Sequence, residues 1–321
     1  MKPDSHTDST DLDSGQDHAP PACVMSFNAS DASGAGGIAG DVSTIAAMGA
    51  HPLPVITSIV MRDTAEVFDH SPIDDEDVVE QARSVLEDVT VSAWKVGFLG
   101  AAETIAAVAE ILSDYADVPV VTYMPDLTWL DEDQREPYLE AWRDLILPAT
   151  EVLVGNHKTL TDILLPEWDS ERPPSARELA VAAGERGTRY VLVTGIMLPP
   201  RGAEQFIDNV LASAQGAISG EKFARFDTGF VGAGDTLAAA LTALLAAGTE
   251  LQAAVGEALA FLDQSLDAGF RPGMGSVVPD RFFWALPSPE EGDDTADEGG
   301  PGGPAEPPPG PAGPATPRRV H

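Results

Sequence analysis

Cysteine is nearly missing from this 321-residue chain: Cys23 is the only one. That excludes a disulfide framework and fits a reducing compartment such as the cytoplasm. Lysine is almost as scarce. Four lysines (Lys2, Lys95, Lys158 and Lys222) belong to 18 basic residues that face 52 acidic ones, a formal net charge of −34. Such a surface repels nucleic acid and anionic membranes, so neither is an expected partner. No apolar run approaches the roughly 20 residues that cross a bilayer. The acidic, polar start lacks the basic-then-apolar order of a signal peptide. Neither a Walker-type GK[ST] nor a GxGxxG fingerprint occurs. The acids are spread over short runs, 74–77 and 131–133 among them, without convincing metal-ligand spacing. They read as adaptation to a high-salt cytoplasm, where screening lowers self-repulsion.

What is present is an apolar content of 43%, ample core for one domain of this length. Apolar, β-rich runs at Val55–Val60, Val118–Val121, Val152–Val154 and Tyr190–Val193 alternate with helical stretches at Glu76–Glu87 and Thr104–Tyr115. Alternation of that kind predicts an α/β domain with a mainly parallel sheet and helices on both faces. Residues 1–20 are polar and rich in Asp and Ser, and 288–321 are Pro, Gly, Glu and Asp. Both are expected to be disordered, which leaves 21–287 as the folding unit.

Two glycine-rich segments carry the chemistry. Gly229-Phe230-Val231-Gly232-Ala233-Gly234-Asp235 precedes an Ala/Leu-rich helical run from Thr236 to Ala247. A Gly-Ala-Gly turn at a helix start bares backbone N–H groups at the positive end of the helix dipole, which suits a phosphate. Asp235, at the helix start, is placed to take a proton from an attacking hydroxyl. A strand-to-helix turn with an Asp N-cap accounts for the same residues. The second segment, Ser30-Asp31-Ala32-Ser33-Gly34-Ala35-Gly36-Gly37-Ile38-Ala39-Gly40-Asp41, follows the apolar run 22–27 and precedes a helical pattern, Val42–Ala50. Asp31 suits an Asx turn that bonds its own backbone two residues on.

Together these segments resemble the ribokinase-like superfamily, and within it the hydroxymethylpyrimidine/phosphomethylpyrimidine kinases of thiamine biosynthesis. The family's G-[ST]-D-P-S-G-G-A-G-I-Q-A-D-x-K-T signature reads ASDASGAGGIAGDVST here. Further collinear anchors over Val24 to Trp284 are Ala47–Ala50, Val55–Val60, Lys95–Leu99, Val152–Asn156 and Tyr190–Gly195. The resemblance implies a three-layer α/β/α sandwich, ATP and Mg2+ as cosubstrate and cofactor, and a small pyrimidine alcohol as substrate. It also implies a cytoplasmic enzyme and a homodimer. Gly232, Ala233 and Gly234 would form the anion hole, with Asp235 as general base. Asp41, Arg62, Phe98 and Ala29 would meet the substrate, and Asn156, Thr194 and Gly195 the nucleotide; no metal ligand is assigned. For Asp41 a first-turn helix acid is the alternative, and for Phe98 a core position.

Several positions depart from the family. Asp235 stands where pyrimidine kinases carry Cys and where sugar and pyridoxal kinases carry Asp. Arg62 replaces a ring-reading Gln or Glu; it has donors only and suits a phosphate or carboxylate. Tyr123 replaces an acid, with Asp126 close by, Thr159 replaces the glutamate of N-x-x-E, and Thr194 replaces a lysine. Lys158 could restore positive charge, while His157 reads as a loop histidine. Three functions are therefore expected to compete: a pyrimidine kinase, a pyridoxal or pyridoxine kinase of the same fold, and a catalytically weak binder of pyrimidine or nucleotide.

Overall fold

The computed structural model describes residues 20–200, 202 and 204–285. The stretches expected to be disordered, 1–20 apart from Pro20 and 288–321, lie outside the described residues. In chain order the elements are β1 (Cys23–Asp31), α1 (Gly37–Ala47), β2 (His51–Arg62), β3 (Val67–Pro72), α2 (Asp75–Leu86), β4 (Ala93–Val96), α3 (Ala102–Ser113) and β5 (Val120–Met124). Then come α4 (Glu132–Ala141), β6 (Val152–Asn156), α5 (His157–Leu164), α6 (Ala176–Gly184), β7 (Tyr190–Met197), β8 (Phe206–Ser213), β9 (Gly216–Ala224), α7 (Ala233–Ala246) and α8 (Leu251–Asp267).

The described strands form one sheet in the order β3-β2-β1-β4-β5-β6-β7-β8-β9. From β2 to β7 the neighbours run parallel. The strand β3 adds antiparallel at one edge, and the hairpin β8–β9 does so at the other. Strand side chains alternate between faces, so a central strand must be apolar throughout. On β6, Val152 and Val154 pack with α7 and α8, while Leu153 faces the cluster built with α2 to α6. Leu192 and its neighbours Val191 and Val193 divide in the same way on β7. Val24 of β1 packs against Ile45 of α1 and Ala239 and Ala243 of α7. The result is the expected three-layer sandwich: α1, α7 and α8 on one face, α2 to α6 on the other.

The acidic runs are helix beginnings. Asp74 caps α2 by accepting from the Glu76 N–H, and Asp75, Glu76 and Asp77 fill its first turn. Asp131 stands at the N-cap of α4 without a side-chain capping bond, and Glu132 and Asp133 fill its first turn. Carboxylates at these ends are favoured by the helix dipole. Among the described residues no group of three or more His, Cys, Asp or Glu is arranged to hold a metal. No described helix is long and apolar enough to cross a membrane.

After β1 the chain adds β2 on one side and then returns to place β4 on the other. The strand order therefore reverses between β1 and β4, which opens a crevice at their carboxyl ends.

Candidate active site

The two glycine-rich turns meet at that crevice. Asp31 shapes the first: its Oδ1 accepts from the Ser33 N–H at 2.9 Å and the Ser33 hydroxyl at 2.6 Å, and its Oδ2 from the Gly36 N–H at 3.1 Å. This is the expected Asx turn. Glycine is needed where the turns touch. A Cβ on Gly36 would stand 2.8 Å from Asp235 Oδ2. At Gly232, where φ is +83°, it would overlap the Ala35 carbonyl oxygen, and at Gly234 the Tyr123 ring. Arg281 ties the turns together. Its Nε donates to Thr236 Oγ1 at 3.0 Å, and its Nη atoms donate to the Gly34 and Ala35 carbonyls at 3.4 and 2.5 Å.

Behind the turns lies a buried polar cluster built on β1, β4 and α1. Lys95 has no exposed side-chain surface (0%), and its Nζ donates to Asp235 Oδ1 at 2.7 Å and to Asp41 Oδ2 at 2.9 Å. Asn28 Nδ2 spans the same two oxygens, 2.9 Å from each. The Asn28 Oδ1 accepts from the Ala29 and Phe98 N–H groups at 2.9 and 3.1 Å. Gly97 leaves room for that side chain, since a Cβ there would sit 2.5 Å from Asn28 Cγ. Ser26 Oγ donates to Asp41 Oδ2 at 2.6 Å, and the Gly37 N–H donates to Asp235 Oδ2 at 3.0 Å.

Burial works against the charge on Asp235, but the Lys95 ammonium, the Gly37 N–H and the Asn28 amide outweigh it and hold the carboxyl below its ordinary range. Burial likewise opposes the charge on Lys95, and Asp235 and Asp41 together hold its pKa above the ordinary value. Asp41 goes the other way: burial dominates over Lys95, and the nearby Asp235 adds to it, so its pKa is raised. Burial, with Asp235 and Asp126 alongside, raises the Tyr123 phenol. The same ring sits 5.9 Å from Lys95 Nζ and presses against Gly234.

A cavity of about 260 Å³ opens in front of this cluster, lined in part by Asn28, Ala29, Arg62, Phe98, Gly232 and Asp235. The expected substrate residues Ala29, Arg62 and Phe98 thus converge on the expected base. Arg62 lies 3.8 Å from Asp31. Phe98 is both core and wall. It packs within 5.4 Å (ring centroids) of His70, Trp129 and Tyr138, and Trp129 shares the cavity wall with it.

Asp41 is placed otherwise than expected. α1 begins at Gly37 and has no acid in its first turn, so the helix-start alternative fails. Nor does Asp41 line the cavity; fully buried, it sits beneath Asn28 as a counter-ion of Lys95. Asn156, Thr194 and Gly195 lie further along the same edge, at the carboxyl ends of β6 and β7. Asn156 pairs in register with Thr194, and a Cβ on Gly195 would stand 2.7 Å from Asn156 Nδ2. The Asn156 side chain caps α5 through the Lys158 N–H at 3.0 Å. Lys158 does not turn inward: its side chain is 77% exposed, and its ammonium pairs with Asp162 at 2.7 Å. His157 is not a loop residue: it opens α5, and its ring Nε2 lies 2.7 Å from the Pro174 carbonyl oxygen.

Lys95, Asn28 and Arg281 hold the site together, and none was assigned a role from sequence. Their signal lay in the fold: a lysine in an otherwise apolar strand, Ala93–Val96, is buried only if acids meet it.

A family model described as phosphomethylpyrimidine kinase matches residues 31–280. The hydroxymethylpyrimidine/phosphomethylpyrimidine kinase of Streptomyces coelicolor is 29% identical over 266 residues, 83% of this chain and 96% of its own. The enzyme of that name from Rhizobium meliloti is 30% identical over 274 residues, 82% of this chain and 98% of its own. Among solved structures, the pyridoxal kinase of Bacillus subtilis in an ADP complex has a TM-score of 0.70 at 22% identity, covering 83% of this chain and 100% of that one, a likeness of fold. By the extent of these matches, the chain belongs to the phosphomethylpyrimidine kinase family.

Proposed function

We propose that this chain transfers the γ-phosphoryl group of MgATP to the hydroxymethyl oxygen of hydroxymethylpyrimidine, or to a phosphate oxygen of its monophosphate, a step of thiamine biosynthesis. One observation carries the mechanism: an ionised Asp235 stands on the cavity wall at the start of α7, directly after the Gly232-Ala233-Gly234 turn. Its Oδ1 is taken by Lys95 and Asn28, whereas Oδ2 accepts only the Gly37 N–H and keeps a lone pair for a hydroxyl. When the acceptor is the hydroxymethyl group, its proton passes to Asp235 as the new oxygen–phosphorus bond forms and ADP leaves. The first N–H groups of α7 have no intrahelical acceptor, and Gly232 has no side chain to cap them. They are the donors for charge on the transferring group.

Phe98 and Trp129, their rings packed edge-to-face, offer an apolar wall to a heterocycle, and Arg62 suits an anionic substituent on it. Asn156, Thr194 and Gly195 would contact the nucleotide, with Mg2+ arriving on the triphosphate, where phosphate oxygens and water fill most of its coordination. The working enzyme in this reading comprises residues 21–287, is cytoplasmic, pairs as a homodimer and binds neither nucleic acid nor membrane. A second substrate, pyridoxal or pyridoxine, is favoured by Asp235 together with Arg62 in place of a ring-reading amide.

The test is ADP release from MgATP in high KCl with hydroxymethylpyrimidine, its monophosphate, pyridoxal and pyridoxine offered separately. Turnover on a pyrimidine is expected, and Asp235→Asn should lower it by about 10²-fold or more with KM little changed. Turnover on pyridoxine-type alcohols alone would transfer the assignment to the second substrate. Silence on all four by a folded protein would leave a binding role.

A further inference from the structure

Four buried polar side chains, Ser26, Asn28, Asp41 and Lys95, surround Asp235 where β1, β4, α1 and α7 converge, yet only Asp235 has a part in the chemistry above. We propose that Lys95 and Asp41 are positioning residues that set the protonation of Asp235: Lys95 keeps it ionised, and Asp41 draws off part of the lysine's charge so that the carboxylate stays basic enough to accept a proton. The proposal rests on Asp235 being the base.

The geometry is nearly symmetric and the environments are not. One ammonium stands between two carboxylate oxygens at 2.7 and 2.9 Å, and Asn28 Nδ2 spans the same pair. Asp235 is 15% exposed and has a second oxygen held by the Gly37 N–H. Asp41 is wholly buried, and its Oδ1 has no hydrogen-bond partner. An ion pair so deep is a poor stabiliser, because desolvation offsets most of the attraction and apolar side chains of similar size would serve as well. Two acids sharing one lysine beside a cavity are instead the arrangement that pushes pKa values apart. The remaining charged and titratable groups facing the cluster are Arg281 from the C-terminal segment and Tyr123 from β5. Beyond these two lie Asp31, Arg62 and Asp126.

The two partners should act in opposite directions. Without Lys95, Asp235 faces Asp41 alone and its pKa rises by about 1–3 units. Without Asp41 as well, one of the two repelling charges is gone and the pKa falls part of the way back. Purely structural roles would reduce activity evenly at every pH.

The experiment measures the pH profile of kcat/KM for the wild type, Lys95→Met, Lys95→Met/Asp41→Asn and Asp235→Asn. Lys95→Met is expected to move the acid limb up by about one unit or more, so that kcat/KM falls about tenfold per unit across that range while its value at pH 8 suffers least. The double variant is expected to bring the limb back down, though not to the wild-type position. Limbs that coincide in all active variants would overturn the proposal. If Lys95→Met fails to fold, the double variant, which keeps the cluster's net charge, still carries the test: its limb must lie above the wild type's. Carbon-13 titration of labelled aspartates in the wild type, assigned with Asp41→Asn and Asp235→Asn, gives a readout without turnover. Asp41 is expected to titrate above Asp235, and the reverse order would overturn the proposal. Asp235→Asn separates the two failures: wild-type turnover in it would remove the base itself, whereas loss of turnover with unmoved limbs would remove only the role of its neighbours.

Discussion

Replacing Gly232 by alanine asks whether contact between the two glycine-rich turns fixes the position of Asp235. Gly232 has φ +83°, a region that costs a non-glycine residue about 1–2 kcal/mol. The added methyl group would also overlap the Ala35 carbonyl oxygen and stand 3.0 Å from an Nη of Arg281. Overpacking of this kind costs about 1–3 kcal/mol, so the variant should lose about 2–5 kcal/mol in total. Relief is possible only if the Ala35–Gly37 turn retreats from α7. That retreat takes the Gly37 N–H, now at 3.0 Å, away from Asp235 Oδ2. A misplacement of roughly 1 Å is enough to cost about 10²-fold in turnover. Urea unfolding and ADP release measure the two effects. Gly229→Ala is the control: no left-handed φ is involved, and the new Cβ would meet nothing closer than Ser276 Oγ at 3.8 Å. It should stay within about 0.5 kcal/mol of the wild type. Equal losses in both variants, or none at Gly232, would refute the reasoning.

Arg281→Met removes every donor that Arg281 gives to the Gly34 and Ala35 carbonyls and to Thr236. It should lower stability by about 2–4 kcal/mol, and Arg281→Lys should not restore the wild-type midpoint because an ammonium lacks the planar fork. The pKa of Asp235 is lowered on folding. Its ion pair therefore adds stability above the ordinary carboxylate range, lost as pH falls through the lowered value; the gap between wild type and Asp235→Asn should be full above about pH 5 and close in acid. A gap that widens on acidification contradicts this. With a net charge of −34, the urea midpoint should climb with KCl, most of the gain arriving by about 1 M, where the screening length is about 3 Å. A midpoint that falls with KCl would refute adaptation to salt.

The parallel strands β2, β5, β6 and β7 were legible because each holds an apolar run. Val152–Val154 and Tyr190–Val193 announce themselves, and the helices expected at Glu76–Glu87 and Thr104–Tyr115 are found at Asp75–Leu86 and Ala102–Ser113. The antiparallel strands were not legible. In β3 (VFDHSP) no residue is fully buried, and β9 (GAISGEKFA) is likewise solvated, so neither shows an apolar run. Both glycine turns were visible because backbone geometry demands glycine locally. The cluster behind them was hidden because its bonds are remote. Lys95 reaches Asp41 and Asp235 across 54 and 140 positions, and Asn28 reaches Asp235 across 207. A lysine met in sequence is ordinarily a surface charge; only the fold shows which acids bring it inside.

That distinction bears on the departures at Tyr123, Thr159 and Thr194. Counted along the sequence, they remove two acids and a base from the nucleotide side. In space, two cations already stand behind the glycine turns, Lys95 and Arg281, the second with both turns in its grip. Tyr123 meanwhile uses its ring to close the space beside Gly234. In a chain with 18 basic residues against 52 acids, these two buried cations face the buried carboxylates Asp41 and Asp235 at the same crevice. Salt separates the two populations of charge. Exposed acids are screened beyond a Debye length, about 8 Å at physiological ionic strength, whereas buried pairs are screened much less. High KCl should therefore raise stability through the surface while leaving the acid limb of kcat/KM where the Lys95 cluster sets it. An acid limb that drifts with KCl as far as it does on Lys95→Met would mean that surface charge, not the buried lysine, governs the base.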